Sequence, residues 1–245
     1  MSQENKTVKK PKKTDTKESV VKTISLIAWA SFSTIIAQFI VILPLSLVFN
    51  RAALESPVLT TIYTALIYIV SAALVIFVPK LVNKNFTTNR EELGLSGLPT
   101  FTDIGISILS IIATFIVAGV LFSALTIFPW FNATETQEIG YSTQIVGLDR
   151  VVAFLALVVI APFFEELVFR GWLYGKLKKY NSVPTAILLV SLLFGILHGQ
   201  LNVGITVGVM SVIMCIEREL TGTIYAGILT HMLKNGIAFC LLFLV

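Results

Sequence analysis

Apolar residues fall in long, nearly unbroken blocks separated by short polar stretches, and the blocks are the length of membrane-spanning helices. The first runs from Ile24 to Phe49, with Pro44 placed to kink it. It is too long for a signal-peptide core and has no convincing small-residue cleavage site, so it reads as an uncleaved span. The second runs from Val58 to Val78, with Pro79 closing it, and the third from Thr100 to Phe128, with Pro129-Trp130 at its interfacial end. A fourth begins at Val151 and runs into the charged stretch Glu165-Glu166-Leu167-Val168-Phe169-Arg170. After the turn marked by Asn181-Ser182, a fifth helix runs from about Pro184 to His198. A sixth covers Val203 to Ile216, Glu217-Arg218-Glu219 makes a polar turn, and a last helix follows Thr221-Gly222 to Val245. The pattern predicts an all-α, polytopic transmembrane bundle of about seven membrane helices.

Composition agrees with a bilayer as solvent: 56% of residues are apolar and only 13% charged. The organisation expected is a disordered basic tail over residues 1–23, transmembrane helices over 24–129, a polar loop over 130–150 and a helical core over 151–245. The net charge of +4 is modest and comes from the tail, where Lys6, Lys9, Lys10, Lys12, Lys13, Lys17 and Lys22 outnumber Glu4, Asp15 and Glu18. These lysines lack an aromatic platform or surrounding fold, which argues against nucleic-acid binding. The tail, the Lys80–Arg90 loop and the Arg170–Lys179 segment hold most of the basic residues and are alternate loops, which predicts a cytoplasmic N-terminus and a cytoplasmic turn near Asn181. Cys215 and Cys240 both lie in apolar runs and read as buried small hydrophobes, with neither metal spacing nor a disulfide framework.

Candidate chemistry sits where charge interrupts the apolar pattern. A charge at the centre of a membrane helix costs about 2.5–3.5 kcal/mol on insertion scales, so it needs a partner or a purpose. On a helix Glu166 and Arg170 are i and i+4 and can pair, whereas Glu165 points about 100° away and has no local partner. Phe194-Gly195-Ile196-Leu197-His198 and His231-Met232-Leu233-Lys234-Asn235 carry the only two histidines of the chain. Glu165 lies about 17 residues before the Ser182 turn and His198 about 16 after it, so both sit roughly 24–26 Å from the turn. His231 and Asn235 share one face of the last helix and fall in the same layer. A carboxylate, two imidazoles and an amide at one level can activate water and hold an oxyanion. The same groups also suit a structural polar network or a solute path. Non-helical backbone at Gly199–Asn202, deep in the bilayer, points to a cavity.

No Gly-x-Ser-x-Gly elbow and no His-Glu-x-x-His motif is present, since His198 is followed by Gly-Gln-Leu-Asn. Two histidines and a carboxylate leave zinc or iron open as a minority reading.

Glu-Glu-x-x-x-Arg at Glu165, Glu166 and Arg170, Phe-x-x-x-His at Phe194 and His198, and His-x-x-x-Asn at His231 and Asn235 together resemble the CAAX protease and bacteriocin-processing (Abi) family. Arg90-Glu91-Glu92-Leu93-Gly94-Leu95 is similar to that family's polar loop. The resemblance covers about Val151 to Asn235, and the first three spans by hydropathy alone. It implies a metal-independent glutamate intramembrane endopeptidase without a cofactor. Glu165 with His198 would activate water, and His231 with Asn235 would form the oxyanion site. Glu166 and Arg170 would support them, and Phe194 would pack the site. The substrate would be a hydrophobic peptide or membrane-protein segment in the bilayer. Roles in peptide maturation, bacteriocin immunity or membrane signalling, in a bacterial cell membrane, follow from the same resemblance. The rival expectation is a non-catalytic adaptor that binds a membrane sensor or peptide exporter.

Overall fold

A computed structural model describes residues 16–84, 86–135 and 145–244, and all regular secondary structure among them is helical. The tail through Asp15, residues 136–144 of the polar loop, with Glu138, and Val245 lie outside the described residues. The helices are α1 (Thr16–Val48), the short α2 (Arg51–Leu54), α3 (Pro57–Val82), α4 (Phe101–Leu125), α5 (Gly147–Leu177), α6 (Val183–Ile196), α7 (Leu201–Thr221) and α8 (Tyr225–Phe243). Among the described residues six of these are long and apolar enough to cross a membrane, and α6 is a shorter apolar helix. The chain is an all-helical, multi-pass membrane protein.

Helix starts follow local capping chemistry. Ser56 accepts the amide of Leu59 before Pro57 opens α3, and Thr100 and Asp103 form a reciprocal capping box at α4. Ser182 caps α6 by accepting the Thr185 amide, and Pro184 sits in the first turn as its fixed φ favours.

Several boundaries differ from the hydropathy reading, among them the start of α7, which already includes Leu201 and Asn202 where non-helical backbone was expected through Asn202. Helix α1 begins at Thr16 and so takes residues 16–23 from the stretch expected to be disordered tail. Its polar first turns are tied down, since Ser19 donates to the Tyr180 carbonyl at 2.5 Å and Asn181 donates to Thr23 at 2.8 Å. Helix α3 runs through Pro79 to Val82. Helix α7 does not stop at Ile216 but continues through Glu217, Arg218 and Glu219 to Thr221, where Gly222 takes the left-handed φ of +71° that ends it. These charges continue the helix because each finds a partner: Thr230 for Glu217, backbone carbonyls for Arg218 and Lys178 for Glu219.

Helix α5 is the axis of the bundle. Trp172, Leu173, Tyr174 and Leu177 at its C-terminal half are fully buried, packed among residues of α1, α3, α6, α7 and the start of α8. Large apolar side chains such as Phe39 on α1 and Ile116 on α4 stay exposed, on faces suited to lipid. Helix α6 crosses α7 at closest approach where Gly195 faces Gly204: a methyl group on Gly195 would sit 2.7 Å from the Gly204 carbonyl oxygen. With 14 residues, α6 spans only about 21 Å of a core about 30 Å thick, so the turn carrying His198 lies inside the bilayer depth.

The polar loop before α4 is clamped across one end of α5. Lys176 donates to Glu92 at 3.0 Å and to the Thr87 carbonyl at 2.7 Å, and Lys179 donates to Glu92 at 2.6 Å. Arg218 donates to the Glu92 carbonyl at 3.1 Å and to the Gly222 carbonyl. Gly94 adopts a φ of +73°, and a side chain there would meet the Arg218 guanidinium. Partial burial works to raise the Glu92 carboxyl, but the hydrogen bonds from Lys179 and Lys176 together hold it below the usual carboxylate range. A lowered folded pKa contributes stability above the unfolded value near 4.3 that is lost as pH falls through the folded value. Glu92→Gln should therefore melt at lower temperature than wild type at neutral pH, with the gap closing below about pH 4. A gap that persists unchanged into acid would remove the clamp as its origin.

Candidate active site

The Glu165 stretch is placed by an irregular helix. Within α5, Leu155–Ile160 and Leu167–Tyr174 are π-helical, on either side of Ala161–Glu166. Such bulges rotate the side chains that follow and are frequent at functional sites. The first has a sequence cause. In π register the Ala161 amide bonds to the Ala156 carbonyl, and the next donor in line would be Pro162, which has no N–H. The Leu157 carbonyl is left without a donor from its own helix, and Asn235 Nδ2 on α8 fills the place at 2.8 Å.

The two adjacent glutamates have different surroundings. Glu166 is fully buried and takes Nη1 of Arg170 at 2.9 Å and Nδ1 of His231 at 3.0 Å on the same oxygen, Oε1. The i,i+4 pair expected from spacing is therefore present, with an imidazole added. Glu165 lines a cavity of about 570 Å³ bounded by α1, α3, α5, α8 and the end of α6. It is not the partnerless carboxylate that local spacing predicts. Tyr68 on α3 donates to its Oε1 at 2.7 Å, and Nε2 of His231 lies 3.7 Å from Oε2.

His198 lies just beyond α6, half-buried, and lines the same cavity. Its Nδ1 is 2.8 Å from the Phe194 carbonyl, which can only accept, so Nδ1 carries a proton, and in the neutral ring the lone pair is on Nε2. The same logic at His231 puts the proton on Nδ1 toward the Glu166 carboxylate and the lone pair on Nε2 toward Glu165. Phe194 is the hub of the packing. Its ring lies 4.9 Å from His198 and 5.8 Å from His231, edge to face, with the Arg170 guanidinium 4.3 Å from its centroid. The ring thus fixes both imidazoles over the Glu166–Arg170 pair.

All seven expected residues meet in this region: Glu165, His198, His231, Asn235 and Phe194 line the cavity, and Glu166 and Arg170 lie beneath it. Sequence reasoning missed Tyr68, whose only signal is a hydroxyl in the middle of an apolar span. It also missed Lys234 as a cavity-lining cation, and Glu217, a buried carboxylate that accepts from Thr230 at 2.8 Å. Among the described residues no group of three or more His, Cys, Asp or Glu side chains is arranged to hold a metal ion.

Residues 147–237 match the family described as type II CAAX prenyl endopeptidase Rce1-like. The resemblance drawn from the three motifs holds over this segment, which contains every one of the seven residues. The matched segment takes in α5, α6, α7 and the part of α8 that carries His231 and Asn235, while Tyr68 and the α1 wall of the cavity come from outside it. No curated protein and no solved structure matches the chain.

Proposed function

We propose that the chain is an intramembrane endopeptidase that hydrolyses a peptide bond in a hydrophobic or membrane-associated substrate by glutamate-activated water, without a metal. The observation that carries this reading is the paired environment of the two glutamates: one faces a cavity and the other is locked beneath it. In the reaction, Glu165 takes a proton from water as its oxygen bonds to the scissile carbonyl carbon, and the lone pair on His198 Nε2 accepts the second water proton in a hydrogen bond that aims the nucleophile. The oxyanion accepts the second N–H of Asn235, the first being held by Leu157. His231 joins it as a donor when its Nε2 is protonated, a state that the Glu166 carboxylate on Nδ1 stabilises. The C–N bond breaks as Glu165 returns its proton to the leaving amine.

The first turns of α1 sit against the α5–α6 turn, and Lys176 and Lys179 meet the polar loop beside it. Three basic segments at one end favour a cytoplasmic N-terminus. The lysine-rich tail favours a bacterial cell membrane. Peptide maturation, bacteriocin immunity and processing of a membrane sensor or export partner are the roles that fit a substrate in the bilayer.

Two measurements test the reading. Proteomic comparison of membrane fractions from cells making wild type or Glu165→Ala should show shortened membrane peptides only with wild type. An adaptor would instead give identical peptides and a Glu165→Ala phenotype equal to wild type. Cleavage of a farnesylated CAAX peptide or a hydrophobic peptide by purified protein in detergent should survive strong chelation. Activity lost to chelator and restored by zinc would replace the metal-free mechanism with metal-assisted hydrolysis.

A further inference from the structure

Tyr68 touches the proposed base and comes from outside the matched segment. It stands on α3, in an apolar span that a phenylalanine would suit as well, and its hydroxyl donates to Oε1 of Glu165 at 2.7 Å. A hydroxyl taken from water without a partner is costly, so this bond accounts for a tyrosine there. The contact is held from behind. Tyr68, Ala72 and Val75 share one face of α3 at helical spacing, and Ala72 and Val75 are buried in the cluster that holds Val168, Trp172 and Leu173 of α5. Ser71, nearly one turn beyond Tyr68, is 3.0 Å from Thr34 of α1, which ties α3 to another wall of the cavity. The phenol is therefore carried by a packed helix and not by a loop.

The bond divides the two oxygens of Glu165 between tasks. Oε1 is taken by the Tyr68 proton. Oε2 has no hydrogen bond among the described residues and lies 3.7 Å from Nε2 of His231. The charged and titratable groups around Glu165 leave its orientation open. Lys234 of α8 acts on it as counter-charge across the cavity with no ion-pair contact, His198 lines the same cavity, and Arg170 is engaged by Glu166. A glutamate has several side-chain torsions and can turn either oxygen to a substrate, and ordering it before the substrate arrives takes that entropy out of the barrier. We propose that Tyr68 is a positioning residue: its hydroxyl pins Oε1 of Glu165 and presents Oε2 as the atom that takes the proton from water. Helix α3, outside residues 147–237, thereby completes the site. This deepens the proteolytic reading of the cavity and rests on it.

The test uses the purified full chain in detergent with hydrophobic and farnesylated peptides, and keeps a substrate that wild type cleaves and Glu165→Gln does not. Tyr68→Phe removes one oxygen and keeps the ring, so its melting temperature should stay close to wild type. Its kcat should fall about 10- to 100-fold with KM little changed, the cost of losing a hydrogen bond to a charged group and loosening a base. Tyr68→p-methylphenylalanine fills the hydroxyl's space without a donor and should lose kcat in the same way, which keeps the test open if the smaller ring folds poorly. Tyr68→p-aminophenylalanine puts an N–H donor in the hydroxyl's place and should restore most of kcat. Infrared difference spectra between each protein and its own Glu165→Gln counterpart isolate the Glu165 carboxylate band, which should move on Tyr68→Phe and return with the amine. Wild-type kcat in both donor-free variants, a loss that the amine does not restore, or a band that stays in place overturns the assignment while Glu165-dependent cleavage still stands. No Glu165-dependent cleavage of any peptide would overturn the proteolytic reading and this assignment with it.

Discussion

Glu165→Gln should abolish turnover and leave the melting temperature in detergent equal to wild type or higher. The glutamine is isosteric, and its carbonyl oxygen can still accept from the Tyr68 hydroxyl that sits 2.7 Å from Oε1. What it loses is the ability to take a proton from water. A general base in place contributes about 10²- to 10⁴-fold, and Glu165 also returns the proton to the leaving group, so the loss should reach the upper part of that range or exceed it. Stability should not suffer, because a carboxylate that lines a cavity, with Lys234 acting on it across the cavity and no lysine or arginine in direct ion-pair contact, is held for chemistry at the fold's expense. The measurement is paired, cleavage rate and melting curve on one preparation. An active Glu165→Gln would move the base to another group of the cavity, with His198 the first candidate.

Arg170→Ala should give the opposite signature, with a large loss of stability and of activity together. Arg170 and Glu166 are both fully buried and joined at 2.9 Å. Removing one partner of such a pair costs about 3–5 kcal/mol in soluble proteins, because the other charge stays behind without solvent. The guanidinium also lies under the Phe194 ring, so its loss opens the floor on which both imidazoles rest. The double variant Glu166→Gln with Arg170→Met separates the two effects. It removes both charges and keeps the volume, so folding should recover most of the loss. Activity should stay low, because His231 Nδ1 then faces a neutral amide instead of a carboxylate. A double variant that recovers stability and full activity together would reduce the pair to a structural element.

These outcomes also separate what the sequence carries from what only the fold supplies. The seven residues of the cluster are legible because each motif is local: Glu166 and Arg170 by i,i+4 spacing, Phe194 and His198 by the same interval, His231 and Asn235 likewise. Their convergence is legible only as a matching of depths along a helical hairpin. Tyr68 could not be found this way. It is 97 positions from Glu165 and interrupts a span whose hydropathy alone was readable. The end of α7 was misread for a related reason. Charges usually close an apolar run, but Glu217 and Arg218 meet partners on α8 and on loops distant in sequence, so the helix keeps them. The π-helical parts of α5 had one local sign, Pro162, and the irregularity it creates depends on an acceptor being rescued from another helix.

That rescue ties two positions into one unit of inheritance. Pro162 withholds an amide proton, and Asn235 supplies one from 73 residues away. A chain that exchanged Pro162 for an ordinary residue would gain a competing donor for the Leu157 carbonyl, and the Asn235 side chain would lose the anchor that sets its angle to the cavity. A chain that exchanged Asn235 would leave that carbonyl bare inside the bundle. Drift at either site alone is therefore penalised, and divergence through this part of the domain has to pass through paired changes: a proline in one helix holds an amide in another.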